Sequence, residues 1–148
     1  MCARNRLPAH AAGSSLAFPT ASAVSRNTVF LSSTRLARDY VHHVADFVGV
    51  PAAQLGDSAF VSGLLIAAAS AAGVSAIGLP TMREQRRGGF AASLLHDDCH
   101  ITVHVFPERE LLLLDVLAPR AVDGARALDV FARRLTAREI HRDARERG

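Results

Sequence analysis

Residues 97–116, DDCHITVHVFPERELLLLDV, set one thiol, two imidazoles and a series of carboxylates beside the most apolar run of the chain. Within the stretch, CHITVHVF alternates. Ile101, Val103 and Val105 fall on one side, and His100, Thr102, His104 and Phe106 on the other, which is the period-2 signature of a strand with two unlike faces. Pro107 closes that strand, and LLLLDVL follows almost at once as the next. Four consecutive Leu predict a strand covered on both faces. Strands joined by so short a link run antiparallel, and this pairing decides the fold class.

Working outward, FAASLLH (90–96) reads as the preceding strand, joined to CHITVHVF by Asp97 and Asp98, which read as a solvated turn. VSAIGL (74–79) reads as a strand, and TMREQRRGG (81–89) as a charged loop with a wet Arg83, Arg86 and Arg87 cluster. VHHVADFV (41–48) is a first strand ending at Gly49, with PAAQLGD as a connection. Its His42 and His43 point to opposite faces, and both read as structural. Asp57 or Ser58 caps a helix running to Ala72, with Phe60, Leu64, Ala67, Ala68 and Ala71 as its apolar stripe and Gly73 as its stop. A last helix over about 120–135 carries Val122, Ala125, Leu128, Ala132 and Leu135 on one side, and the tail from Thr136 offers a short edge strand. The expectation is an α+β fold: an antiparallel β-sheet with two helices packed on one face. The row His100, Thr102, His104 and Phe106 is left on the other face for a ligand or a partner sheet from a second protomer.

The composition excludes several classes. At 148 residues, 49% hydrophobic and 21% charged, the chain suits one soluble domain. The net charge of +3 belongs to the first 38 residues, which hold five Arg and no acid, while residues 39–148 hold twelve Arg against fourteen acids, about −2. A mildly acidic body has no electrostatic footprint for nucleic acid. All 17 basic residues are Arg, which reads as compositional bias. No run of 18 apolar residues suggests a membrane span. Two cysteines, Cys2 and Cys99, imply no disulfide framework, and a reducing, cytoplasmic compartment. The domain division is 1–38, a disordered Arg/Ala/Ser-rich tail resembling either a targeting segment or an upstream start, and 39–148, the folded body.

The residues 98–108, DCHITVHVFPE, resemble the processing-site segment of bacterial pyruvoyl-dependent S-adenosylmethionine decarboxylases. The likeness extends to GVPAAQLGDSAFVSGLLIAAASAAG (49–73) and LLLDV (112–116), covers about residues 41–148, and needs no gap between Ala91 and Pro119. What it implies is a lyase of the polyamine, and hence spermidine, biosynthesis context, acting as a homodimer. Self-cleavage would leave a pyruvoyl group whose ketone forms a Schiff base with the substrate amine. By resemblance Cys99 stands at the processing Ser, Asp98 precedes the cut, and His104 matches the processing His. Glu108 matches the acid that holds the ribose hydroxyls, a bidentate acceptor suited to a vicinal diol.

Catalysis is thus assigned to Cys99, His104, Asp98 and His100, and substrate binding to Glu108 and Phe106. His100 or His104 is expected to lower the Cys99 pKa or act as its base. Three positions depart from the family. Ala91 replaces a Ser that assists processing, Pro119 replaces a proton-donating Cys, and residues 81–89 replace an aromatic-bearing adenine loop. An unprocessed relative that binds an adenosyl ligand or an active paralogue, or that serves other chemistry, is the alternative. No metal is expected, because His100 and His104 stand about 13 Å apart on an extended strand, too far for one ion.

Overall fold

The computed structural model describes residues 39–74, 78–86 and 88–148. The expected tail, residues 1–38, lies outside the described residues, as do residues 75–77 of the expected strand 74–79. Its remaining members, Val74, Gly78 and Leu79, are not in a strand.

Among the described residues, six antiparallel strands form one sheet: β1 (Tyr40–Val48), β2 (Thr81–Glu84), β3 (Phe90–His96), β4 (Cys99–Phe106), β5 (Leu111–Pro119) and β6 (Glu139–Arg147), in the order β2-β3-β4-β5-β1-β6. The short α1 (Ala52–Leu55) precedes α2 (Ser58–Ala71), and α3 (Gly124–Arg134) follows β5. The expected α+β sheet-and-helix layering is what forms. Two local expectations change. The charged segment begins as edge strand β2, paired Thr81↔Ser93 to Glu84↔Phe90, because an exposed edge tolerates polar residues that a central strand would not. The connection after Gly49 contains the single turn α1, whose Leu55 is fully buried.

Alternation along β4 and β5 builds the core. Cys99, Ile101, Val103 and Val105 are buried with Leu112, Leu114, Val116 and Ala118, while the intervening residues are half-buried or exposed. Leu111 and Leu113 are therefore only half covered, so the Leu run has one dry face rather than two. The helices close the dry face with stripes set one position away from those expected. In α2 the buried residues are Val61, Leu64, Leu65, Ala68 and Ala69, leaving Ala67 exposed; in α3 they are Gly124, Ala127, Leu128, Val130 and Phe131, leaving Ala125 exposed. Alanine-rich periodicity fixes a stripe poorly, because Ala contributes little to either face.

Caps set the ends. The Asp57 side chain accepts the Phe60 amide at 2.9 Å, and Asp123 accepts that of Arg126 at 3.2 Å, so α3 starts at Gly124 rather than near Arg120. Gly73, at φ +85, lets Val74 N–H reach the Ala69 carbonyl at 2.9 Å and close α2.

The last nine-residue strand, β6, pairs with β1 from Tyr40↔Arg147 to Val48↔Glu139, and every residue of it is exposed. Its charge-rich sequence, EIHRDARER, protects the open edge from further pairing. No helix among the described residues is long and apolar enough to cross a membrane.

Phe47 and Phe131, both fully buried with ring centroids 6.2 Å apart, join sheet to helix layer. Phe131→Ala is expected to lower the unfolding free energy by about 3–5 kcal/mol, measured as a reduced urea midpoint with an unchanged slope.

Candidate active site

β3 and β4 meet through a two-residue turn. Asp97 takes the left-handed conformation, φ +39, which its short polar side chain tolerates, and Asp98 is exposed beside it. Cys99 is the first residue of β4 and faces the helix layer at 8% exposure. Burial raises its thiol pKa, and the negative charges of Asp98 and Asp97 raise it further. The expected lowering by a histidine does not occur, because His100 and His104 project from the opposite face of β4. Cys99 and His104 are also separated by roughly 16 Å of extended strand. One chain does not bring this sulfur and this imidazole together.

On the open face the structure makes a cluster that the sequence reading left apart. His100 and His42 both stand opposite Leu117, in flanking strands β4 and β1, and Asp115 lies one pleat along β5. The Asp115 carboxylate accepts from His42 Nε2 at 2.7 Å and from His100 Nε2 at 2.9 Å. Partial burial pushes the Asp115 pKa up, but the two imidazole hydrogen bonds outweigh it and leave the carboxyl below its ordinary range. The Arg147 guanidinium faces His42 Nδ1 at 3.4 Å. A cavity of about 430 Å³ opens between Tyr40, His42, His100, Asp115, Leu117 and Arg147. Tyr40 ties its rim to the turn by donating its hydroxyl to Asp98 Oδ2 at 3.3 Å.

His104 sits at the other end of the strand, exposed, opposite Ala91. Its Nδ1 lies 2.9 Å from the Gln85 side-chain amide. Gln85 is held by a tight turn in which its backbone N–H donates to the Gly89 carbonyl at 3.1 Å. Gly89 has φ +73, and a Cβ there would stand 2.0 Å from the Val105 carbonyl oxygen, so the turn reaches β4 only with glycine. Gly88 packs near the Glu108 carboxylate, and Phe106 carries the Arg109 guanidinium 5.1 Å above its ring. A second cavity, of about 560 Å³, is lined by Met82, Arg83, Gln85, Gly89, Phe90 and Pro107.

The predicted residues therefore divide into two groups. His104, Glu108 and Phe106 share the Gln85 end, while Asp98, Cys99 and His100 share the Tyr40 end. Asp115, His42, Gln85 and Tyr40 were not singled out as site residues. A lone Asp inside LLLLDVL was the available signal, since a charge within an apolar run demands partners. The diagonal contact of His42 depends on the β1–β5 register, which no local pattern displays. Among the described residues no group of three or more His, Cys, Asp or Glu side chains is arranged to hold a metal ion.

Because the Cys99 thiol is protonated at neutral pH, its alkylation by iodoacetamide, mapped by peptide mass, is expected to be slower than that of a free cysteine and to accelerate with pH. For Asp115 the lowered folded-state pKa contributes stability above the unfolded value of about 3.9, and this is lost as pH falls through the folded value. Asp115→Asn is accordingly expected to unfold at lower urea than wild type near neutrality, with the gap closing in acid.

Residues 41–148 match the family model described as S-adenosylmethionine decarboxylase. Among solved structures, the adenosylmethionine decarboxylase of Aquifex aeolicus VF5 is similar at 26% identity, covering 74% of this chain and 91% of its own, with a TM-score of 0.66. No curated protein matches the chain. With the match spanning the sheet, its helices and both ends of the site, the chain belongs to the S-adenosylmethionine decarboxylase family.

Proposed function

We propose that the protein is a carboxy-lyase of the S-adenosylmethionine decarboxylase type, cytoplasmic and in the polyamine context. Its cofactor would be a pyruvoyl group made from Cys99. The observation that carries this reading is the position of the Asp98–Cys99 peptide, between an exposed two-residue turn and the first residue of a core strand.

Self-cleavage there would run in balanced steps. Cys99 Sγ loses its proton and attacks the Asp98 carbonyl carbon; the peptide C–N bond breaks, giving a thioester and a free amine. Loss of the Cα proton with cleavage of the Cβ–S bond leaves a thiocarboxylate on Asp98 and dehydroalanine at residue 99. Tautomerisation and hydrolysis then release ammonia and leave the pyruvoyl. Once formed, that group supplies a carbonyl that accepts the electrons released as carbon dioxide departs. Glu108, exposed beside the Gln85 turn, offers two oxygens to the vicinal diol of an adenosyl ligand. The loop at 81–89 brings Gln85 rather than an aromatic ring to that end, which favours a substrate pocket of altered shape.

The expected base, His104, does not reach Cys99 within one chain, and this favours a homodimer, with His96, directly across the β3–β4 ladder from Cys99, as the alternative base. A two-fold pairing of open sheet faces is isologous, so one end of a strand meets the other end of its copy. In that arrangement the partner copy's His104 end lies over the Tyr40 end, at the turn that carries the Asp98–Cys99 peptide, on the face away from Sγ. The half-buried Val44, Phe106, Leu111, Leu113 and Leu117 on this face fit such a contact.

A second reading, the unprocessed relative that binds an adenosyl ligand or an active paralogue, is favoured by the raised Cys99 pKa and by Pro119, which donates no proton.

Co-expression tests both readings. Cys99→Ala alone is expected to stay whole, and His104→Ala alone to stay whole or cleave at least tenfold slower. Mixed, the His104→Ala chain is expected to be cut between Asp98 and Cys99, rescued by the imidazole of the Cys99→Ala copy, with a borohydride-reducible carbonyl at its new amino terminus. Uncut wild-type chains of 15.8 kDa by intact mass would establish the unprocessed reading instead.

A further inference from the structure

The Asp115 cluster has a chemical consequence beyond its contacts. An ionised carboxylate only accepts hydrogen bonds, so each imidazole facing it must carry a proton on Nε2. For His42 a second contact agrees: Arg147, which only donates, lies against Nδ1 at 3.4 Å. His100 has its Nε2 held at 2.9 Å by Asp115 Oδ1, and among the described residues no hydrogen-bonding partner lies on its Nδ1. His100 lines the cavity of about 430 Å³ beside Tyr40, and also a third cavity of similar volume that is bordered by Thr102, His104 and Leu113.

We propose that Asp115 is a positioning residue that locks His100 in the Nε2–H tautomer, so that its Nδ1 lone pair serves as the acceptor for a hydrogen-bond donor, such as a primary amine, bound on the open sheet face. The lock works through direction as well as charge. One carboxylate is shared by imidazoles from two strands, so neither ring turns over without breaking a bond that the other side of Asp115 does not replace. His42 is the counterpart that holds the carboxylate plane; it is oriented from outside by Arg147. The inference about the ligand rests on the proposed lyase reading, but the tautomer does not.

Long-range proton–nitrogen NMR of the histidine rings in the full chain, at about pH 8 where an ordinary imidazole is neutral, measures the tautomer directly. In wild type, His100 is expected to show a proton-bearing Nε2 and an unprotonated Nδ1. Asp115→Ala is expected to collapse His100 to tautomer-averaged shifts, while His42 keeps the Nε2–H bias set by Arg147. In Asp115→Asn the amide accepts from one ring and donates to the other, so one of the two rings is expected to reverse. His42→Ala, which leaves the Oδ1 bond, is expected to keep the His100 pattern. A wild-type His100 that is already averaged, or protonated on Nδ1, overturns the proposal even if no variant folds. So does an Asp115→Ala protein with a native amide spectrum and an unchanged His100. Titration with methylamine provides the ligand arm: a shift of His100 Nδ1 in wild type that is lost in Asp115→Ala is expected, and an equal shift in both overturns the acceptor role. Loss of self-cleavage with the wild-type tautomer intact counts against the lyase reading and not against this one.

Discussion

The two-sided pleat of β4 is the constraint on which the rest of the molecule depends. Successive side chains of an extended strand leave on opposite faces, and β4 is held between β3 and β5 in unbroken register from His96↔Cys99 to Phe106↔Leu111. A one-residue slip would exchange Ile101, Val103 and Val105 for His100, Thr102 and His104 in the core. Burying two imidazoles in place of aliphatic groups makes that exchange costly, so the register that builds the core is also the one that deals the thiol to one face and the histidines to the other.

That partition shapes the chemistry. The thiol lies where burial and two neighbouring carboxylates keep it protonated, and the imidazoles lie where they are oriented by Asp115 and Gln85. The same face bears half-buried apolar residues and a fixed pair of imidazoles, a combination suited to a contact that is partly dry and partly chemical.

The open face also carries two positions that bear on the proposed chemistry. Gln85, in a turn that only Gly89 permits, occupies His104, and Pro119 ends β5 opposite Tyr40. Pro119 lies on the face of β5 away from the buried Leu112, Leu114, Val116 and Ala118, so the core packing does not depend on it.

Much of this was legible in the residues. The period of two in CHITVHVF, the short links on either side of it, the cap at Asp57 and the stop at Gly73 each encode a local preference that the packed structure keeps. The motif DCHITVHVFPE likewise identified the family, because its spacing is carried within a single strand. What the sequence alone did not decide was anything requiring two distant strands in a particular register: His42 beside Asp115, the exposed β2 in a charged segment, and the choice between adjacent Ala stripes on the helices. Those were settled by tertiary structure, since antiparallel pairing of β1 with β5 sets residues 73 positions apart at hydrogen-bond distance. The chain's own alternation put Cys99 and His104 on different faces; only the packed helices determined that the face of Cys99 would be the dry one.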